Sequence, residues 1–237
     1  MPVINTDIGG AACTLLIPPD RWNAPGLPCF YVNGGSDSSE LFNDIERLYY
    51  KKNSSLGPPF VMISPCTSDW DRDYSPWKAE VSGRVYDGEA DRVLERIKEK
   101  VAPAAEELYG TDPMKRITMG YSLGALASLY FFTKDSFFRA CACLSGSLWF
   151  PGTVSYIKET EIESGNGRLM YLSLGKKEIK TRHPLMKQNG EYYEEALKRF
   201  SEVLGEDSSV FEWNNGGHGF EVTERHLKAV NWILERI

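Results

Sequence analysis

One stretch limits what this chain can fold into more than any other: Met119-Gly120-Tyr121-Ser122-Leu123-Gly124-Ala125. It is a G-x-S-x-G pattern, entered through the apolar run Ile117 to Met119 and left through Ala125-Leu126-Ala127-Ser128-Leu129-Tyr130-Phe131-Phe132, which reads as a buried helix. Strand, sharp turn and helix in that order form the context of a nucleophile elbow, where a serine stands on a strained turn at the head of a sheet. Side chains at Gly120 or Gly124 would strike the neighbouring strand and helix, and Ser122 is expected in a strained backbone conformation beside the positive end of the helix. With Gly and Ser each near ~7% of residues, chance alone gives about 0.1 such matches in a chain of this size. The pentapeptide therefore takes its weight from what surrounds it.

Those surroundings alternate short apolar runs with helical periodicity, without internal repeats, low-complexity tracts or linker-like charge runs. Cys13 to Ile17 is expected to be a strand stopped by Pro18-Pro19. Cys29 to Val32 is the next, bounded by Pro28 and Asn33-Gly34-Gly35, and Phe60 to Ile63 follows Pro58-Pro59. Between the last two, Leu41 to Tyr50 has helical spacing and Ser38-Ser39-Glu40 as its cap. Glu89 to Leu108 steps through Val93, Ile97, Val101 and Ala105, with a stop at Gly110 and a kink or break expected at Pro103. Beyond the Ile117 strand lie strands at Ala140 to Leu144, Arg168 to Leu174 and Val210 to Trp213, and helices at Glu191 to Val203 and Val222 to Ile237. Nearly all-apolar strands alternating with helices predict an α/β fold, a mostly parallel central sheet with helices on both faces, in a single domain over residues 1–237.

Composition narrows the partners. A formal net charge of -6 with no basic block argues against nucleic acid and anionic membrane, and for a small or neutral molecule. No stretch is apolar for long enough to span a bilayer, and the start, Met1 to Asp7, lacks the basic and apolar segments of an export signal, so a cytoplasmic protein is expected. Cys13, Cys29, Cys66, Cys141 and Cys143 show no CxxC spacing, and four of them sit in apolar surroundings, which predicts reduced, mostly buried thiols. No metal or organic cofactor is implied.

Active sites of open α/β sheets gather at the carboxyl ends of strands. After Leu172-Ser173-Leu174 comes Gly175-Lys176-Lys177-Glu178, and after the Trp213 strand comes Asn214-Asn215-Gly216-Gly217-His218-Gly219. Ser122, Glu178 and His218 thus follow in the order nucleophile, acid, base, each on its own strand-end loop. A serine hydroxyl needs a base at neutral pH, an imidazole can supply it, and a carboxylate can hold the imidazole in the productive tautomer. Of the other histidines, His183 follows Glu178 closely enough to be a lesser candidate base, and His226 sits in an amphipathic helix where surface or packing roles fit better. Backbone N–H groups of Leu123 and, from the Asn33-Gly34-Gly35-Ser36 loop, Gly35 rather than Gly34 are the expected oxyanion donors. Gly34, Tyr121 and Trp149 are candidate pocket walls; the loop Trp70 to Trp77 could shape the pocket or pack beneath it, with Arg72 paired to a carboxylate.

Asn33-Gly34-Gly35, Arg72-Asp73-Tyr74-Ser75-Pro76-Trp77, Gly120-Tyr121-Ser122-Leu123-Gly124, Ser145-Gly146-Ser147 and Gly217-His218 together resemble the "putative esterase" family of α/β-hydrolases. That family includes esterase D, feruloyl and acetyl-xylan esterases, siderophore esterases and the antigen 85 mycolyltransferases. The similarity runs from about Cys29 to Phe220. The resemblance implies an α/β-hydrolase fold, Ser122 as nucleophile, His218 as base, and Glu178 where many members carry aspartate. It also marks two departures: Asn33 replaces a usual histidine, and a Ser-His dyad without a third member is known among siderophore esterases of this type. The expectation is a serine hydrolase cleaving a carboxylic ester of a small soluble substrate through an acyl-enzyme. An acyltransferase with the same triad, or a binding protein that kept the fold, are the alternatives.

Overall fold

The computed structural model describes residues 3–18, 25–51, 58–165 and 167–237. Met1, Pro2 and the Pro19 of the predicted stop lie outside them. In chain order the elements are β1 (Ile4–Ile8), β2 (Ala11–Leu16), β3 (Leu27–Asn33), α1 (Ser38–Ile45), β4 (Val61–Pro65), α2 (Trp70–Tyr74), β5 (Ala79–Val81), β6 (Arg84–Tyr86), α3 (Ala90–Arg96) and α4 (Ala102–Tyr109). They continue with β7 (Thr111–Tyr121), α5 (Leu123–Lys134), β8 (Ala140–Leu144), α6 (Thr153–Glu159), β9 (Leu169–Gly175), α7 (Pro184–Lys187), α8 (Asn189–Leu204), β10 (Ser209–Asn214) and α9 (Val222–Leu234).

Eight strands form one sheet in the order β1-β2-β4-β3-β7-β8-β9-β10. From β4 to β10 every pairing is parallel; β1 and β2 add an antiparallel margin. This is the α/β-hydrolase arrangement. Alternate residues feed two cores: Cys29, Tyr31, Val61, Ile63, Cys141 and Cys143 face α3, α4, α5 and α8, while Phe30, Val32, Met62, Ala140, Ala142 and Leu144 face α1 and α9. Because both faces are covered, the central strands carry apolar residues continuously, and β3, β4, β8 and β9 are buried along their whole length. Helix α5, apolar all round, is buried from Leu123 to Thr133.

Several local expectations change. The cap proposed at Ser38-Ser39-Glu40 is not made: Asp37 precedes the helix without a side-chain cap bond, and the Ser38 hydroxyl bonds to the Gly35 carbonyl at 2.8 Å and the Ser64 hydroxyl at 2.9 Å instead. The Leu41 helix ends at Ile45 and passes into a π-helical turn, Glu46–Lys51. The break expected at Pro103 is taken up by a π-helical turn at Ile97–Val101, so the proline, which has no N–H to lose, stands in the first turn of α4. Gly110 ends α4 at φ 62°, ψ 31°, the left-handed stop its sequence position predicts. Strand β1 and the β5–β6 hairpin have no counterpart in the sequence reading. No helix among the described residues is long and apolar enough to cross a membrane.

Candidate active site

The elbow is built by close backbone contact. Strand β7 delivers Gly120 and Tyr121, and Ser122 turns at φ 58°, ψ -123°, a region a side chain rarely occupies. A Cβ on Gly120 would lie 2.3 Å from the Gly124 carbonyl oxygen, and one on Gly124 would lie 2.1 Å from that of Asn33. Strand β8 and the loop after it pin the turn: Ser122 N–H donates to Leu144 O at 3.1 Å, and Ser147 N–H donates to Ser122 O at 3.0 Å.

On the next strand ends, His218 Nδ1 lies 2.7 Å from Glu178 Oε2. The imidazole is about half exposed, whereas the glutamate side chain is 8% exposed. Its other oxygen, Oε1, accepts from Gly175 N–H at 2.7 Å, Ser145 Oγ–H at 2.8 Å and Arg225 Nη1 at 3.0 Å. The glutamate side chain thus folds back over its own turn. A Cβ on Gly175 would come within 2.7 Å of Oε1, so glycine leaves the space. Burial pushes the carboxyl upward, but the hydrogen bonds from His218 and Ser145, the His218 charge and the Gly175 N–H outweigh it, and Glu178 is held below the ordinary carboxylate range.

Arg225, on α9, is fully buried. Its Nη1 also meets Ser145 Oγ at 2.6 Å and the Tyr121 hydroxyl at 2.9 Å, and its Nη2 donates to the carbonyls of Asn215 at 2.9 Å and Gly217 at 3.0 Å. One guanidinium thereby ties Glu178, the end of the elbow strand and the loop before His218. The Tyr121 hydroxyl in turn donates to the His218 carbonyl. Sequence reasoning missed Arg225, because a charged residue on an amphipathic helix reads as solvated face.

Across the site, the loop after β3 is held by two hydroxyls. Tyr74 donates to Gly34 O at 2.9 Å and Ser38 to Gly35 O at 2.8 Å, while Gly34 N–H is engaged by Val32 O at 2.9 Å. Of the loop Trp70 to Trp77, Arg72 pairs with buried Asp73 at 2.9 Å, Tyr74 is buried, and Trp77 donates to Pro151 O at 2.7 Å. Trp70 packs edge-on to Tyr74 and reaches the cavity. Asn33 points into the core and donates to Thr118 Oγ1 at 3.2 Å and Ser128 Oγ at 2.8 Å.

Gly34, Gly35, Tyr121, Ser122 and His218 line one cavity of about 260 Å³. Trp149 does not line it; its ring stands 6.2 Å from that of His183, which bonds Met186 N–H and the Ser82 hydroxyl. His226, expected on the surface or in packing, is buried and does line the cavity.

The sequence matches the profile of the family described as "Putative esterase" over residues 11–229. The chain belongs to that esterase family. It is a carboxylic ester hydrolase. No curated protein is similar enough in sequence to count as a relative. Among solved structures, this esterase is similar to the siderophore hydrolase EstB from Aspergillus nidulans, at 17% identity and TM-score 0.72 over 97% of this chain and 92% of that one. An IroE-like serine hydrolase from Shewanella oneidensis is similar at 17% identity and TM-score 0.71, over 95% of this chain and 75% of that one. At such identities the likeness is one of fold.

Proposed function

We propose that this esterase is a serine hydrolase that opens a small carboxylic ester through an acyl-enzyme. Ser122 Oγ attacks the carbonyl carbon while His218 Nε2 takes its proton; Glu178, bonded to Nδ1, fixes the tautomer and stabilises the imidazolium. The proton then passes to the leaving alcohol as the C–O bond breaks, and water, activated by the same imidazole, releases the acid and restores the serine. The observation that carries this reading is the 2.7 Å contact between His218 Nδ1 and a buried, charge-stabilised Glu178, beside a cavity that Ser122 also lines.

The oxyanion is assigned to the N–H groups of Leu123, in the first turn of α5 where no intrahelical acceptor exists, and Gly35. Supporting Gly35, the Gly34 N–H is already bonded to Val32 O. In addition, the trans peptide that directs Gly34 C=O at Tyr74 turns Gly35 N–H the opposite way. Siderophore hydrolases among the structural neighbours make a siderophore-type ester a reasonable first substrate class.

Labelling with a fluorophosphonate ester and mass mapping of the modified peptide tests the assignment. Stoichiometric modification at Ser122, absent in Ser122→Ala, is the expected result; modification elsewhere, or none, removes the mechanism.

A further inference from the structure

The proposed reaction makes no use of His226, although this residue lines the same cavity as Ser122 and is 1% exposed. Its Nδ1 lies 2.7 Å from the Val222 carbonyl one turn back on α9. A carbonyl only accepts, so the ring proton sits on Nδ1 and Nε2 presents a lone pair. The ring is stacked on Tyr121, 5.7 Å between centroids and 21° between planes, and the same tyrosine ring lies 5.2 Å from that of His218. Burial lowers its pKa to about 4, against the opposing pull of the Val222 carbonyl and of Asp37, so the imidazole is neutral at physiological pH. Among the described residues Nε2 has no hydrogen-bond partner, and it is not one of the atoms sealed in the core.

The cavity walls include the apolar Val32, Leu41, Trp70 and Val222, with Asp37 and Ser38 among the polar residues. A rigid acceptor set in such a lining costs free energy when a ligand desolvates it without supplying a donor, and stabilises a ligand that supplies one. The chemistry selects the donor. A carboxylate would meet a lone pair and, at the rim, Asp37. An ammonium would leave two further N–H groups unmet among apolar side chains. A hydroxyl matches the single acceptor.

We propose that His226 Nε2 is a specificity-determining acceptor for a hydroxyl group on the substrate, so that this site takes hydroxylated esters in preference to their plain alkyl counterparts. The proposal rests on the serine-esterase reading of the cavity.

The test compares kcat/KM within two matched pairs: 4-nitrophenyl 3-hydroxybutanoate against 4-nitrophenyl butanoate, and 2-hydroxyethyl butanoate against ethyl butanoate. The wild type is expected to favour the hydroxylated member of at least one pair by about 10- to 100-fold, the effect of one buried acceptor met or left unmet. His226→Met should collapse that ratio toward one, and His226→Gln, which can return an acceptor oxygen to the same place, should restore part of it. Parity in both wild-type pairs overturns the proposal whether or not any variant folds, and so does a preference that survives in His226→Met. If both pairs are cleaved at equal rates by a Ser122-dependent enzyme, the esterase mechanism stands and the His226 assignment alone is lost. If neither pair is cleaved and Ser122 takes no fluorophosphonate, both are lost.

Discussion

The Tyr74 hydroxyl touches no reacting atom in the proposed mechanism, yet it fixes the peptide that presents Gly35 N–H. Tyr74→Phe removes one oxygen from a buried ring and frees that peptide to rotate. Since deleting an oxyanion donor outright costs about 10²–10³ in kcat, loosening one should cost about 10-fold, with KM nearly unchanged. Steady-state kinetics decides: a rise in KM at constant kcat would place Tyr74 in binding instead. For the proposed triad, Ser122→Ala should lower turnover by about 10⁶ and Glu178→Ala by about 10⁴. The control is Glu191→Ala, an exposed carboxylate on α8. Equal losses at Glu178 and Glu191 would remove the acid assignment. The strand-end positions of Ser122, Glu178 and His218 were legible because each follows an apolar run that reads as a strand. Arg225 and His226 were not, because helical periodicity cannot tell that a polar pair faces inward when its partners come from Glu178, Ser145 and Tyr121, brought close only by the assembled sheet.

At the scale of elements, the elbow depends on two backbone contacts that admit no side chain. Gly124→Ala places a methyl 2.1 Å from the Asn33 carbonyl, so α5 must back away from β3. The expected loss is about 1–3 kcal/mol of stability together with most of the activity, read as a lower urea midpoint and a weaker fluorophosphonate reaction. An unchanged midpoint would mean that the helix moves freely. The buried strands were legible as apolar runs, and β8 falls on Ala140 to Leu144 as read from the sequence. Strand β1 was not, since Ile4–Ile8 has three consecutive exposed positions and shows no alternation. The β5–β6 hairpin turns on Ser82 and Gly83, both at positive φ, but its strands are only three residues each, too short for a pattern to declare itself. The π-helical turns preserve helical spacing of apolar residues and so leave no trace in periodicity.

For the molecule as a whole, the strand order, with β4 outside β3 and the chain then stepping outward to β10, could be inferred only through family resemblance, because no local pattern encodes which strands pair. The folded state also carries a pH dependence. His226 titrates near 6.5 when unfolded and near 4 when folded, so above pH 6.5 both states hold a neutral ring and its contribution is intact. Between pH 6.5 and 4 the unfolded chain binds a proton that the folded one refuses, and stability falls as pH falls, by about 3 kcal/mol at most. Glu178, depressed in the fold, adds a loss in the same direction below pH 4.5. Urea midpoints at pH 7, 5.5 and 4 should decline, and His226→Gln should flatten the upper part of the decline; parallel curves would show that the ring is not a titrating element. The active-site parts are also ordered in time. Strand β7 and α5 leave the ribosome well before His218 and Arg225, which follow β10 in the chain. A growing chain therefore presents its strained serine turn before the proposed base and the guanidinium that braces its loop have been made.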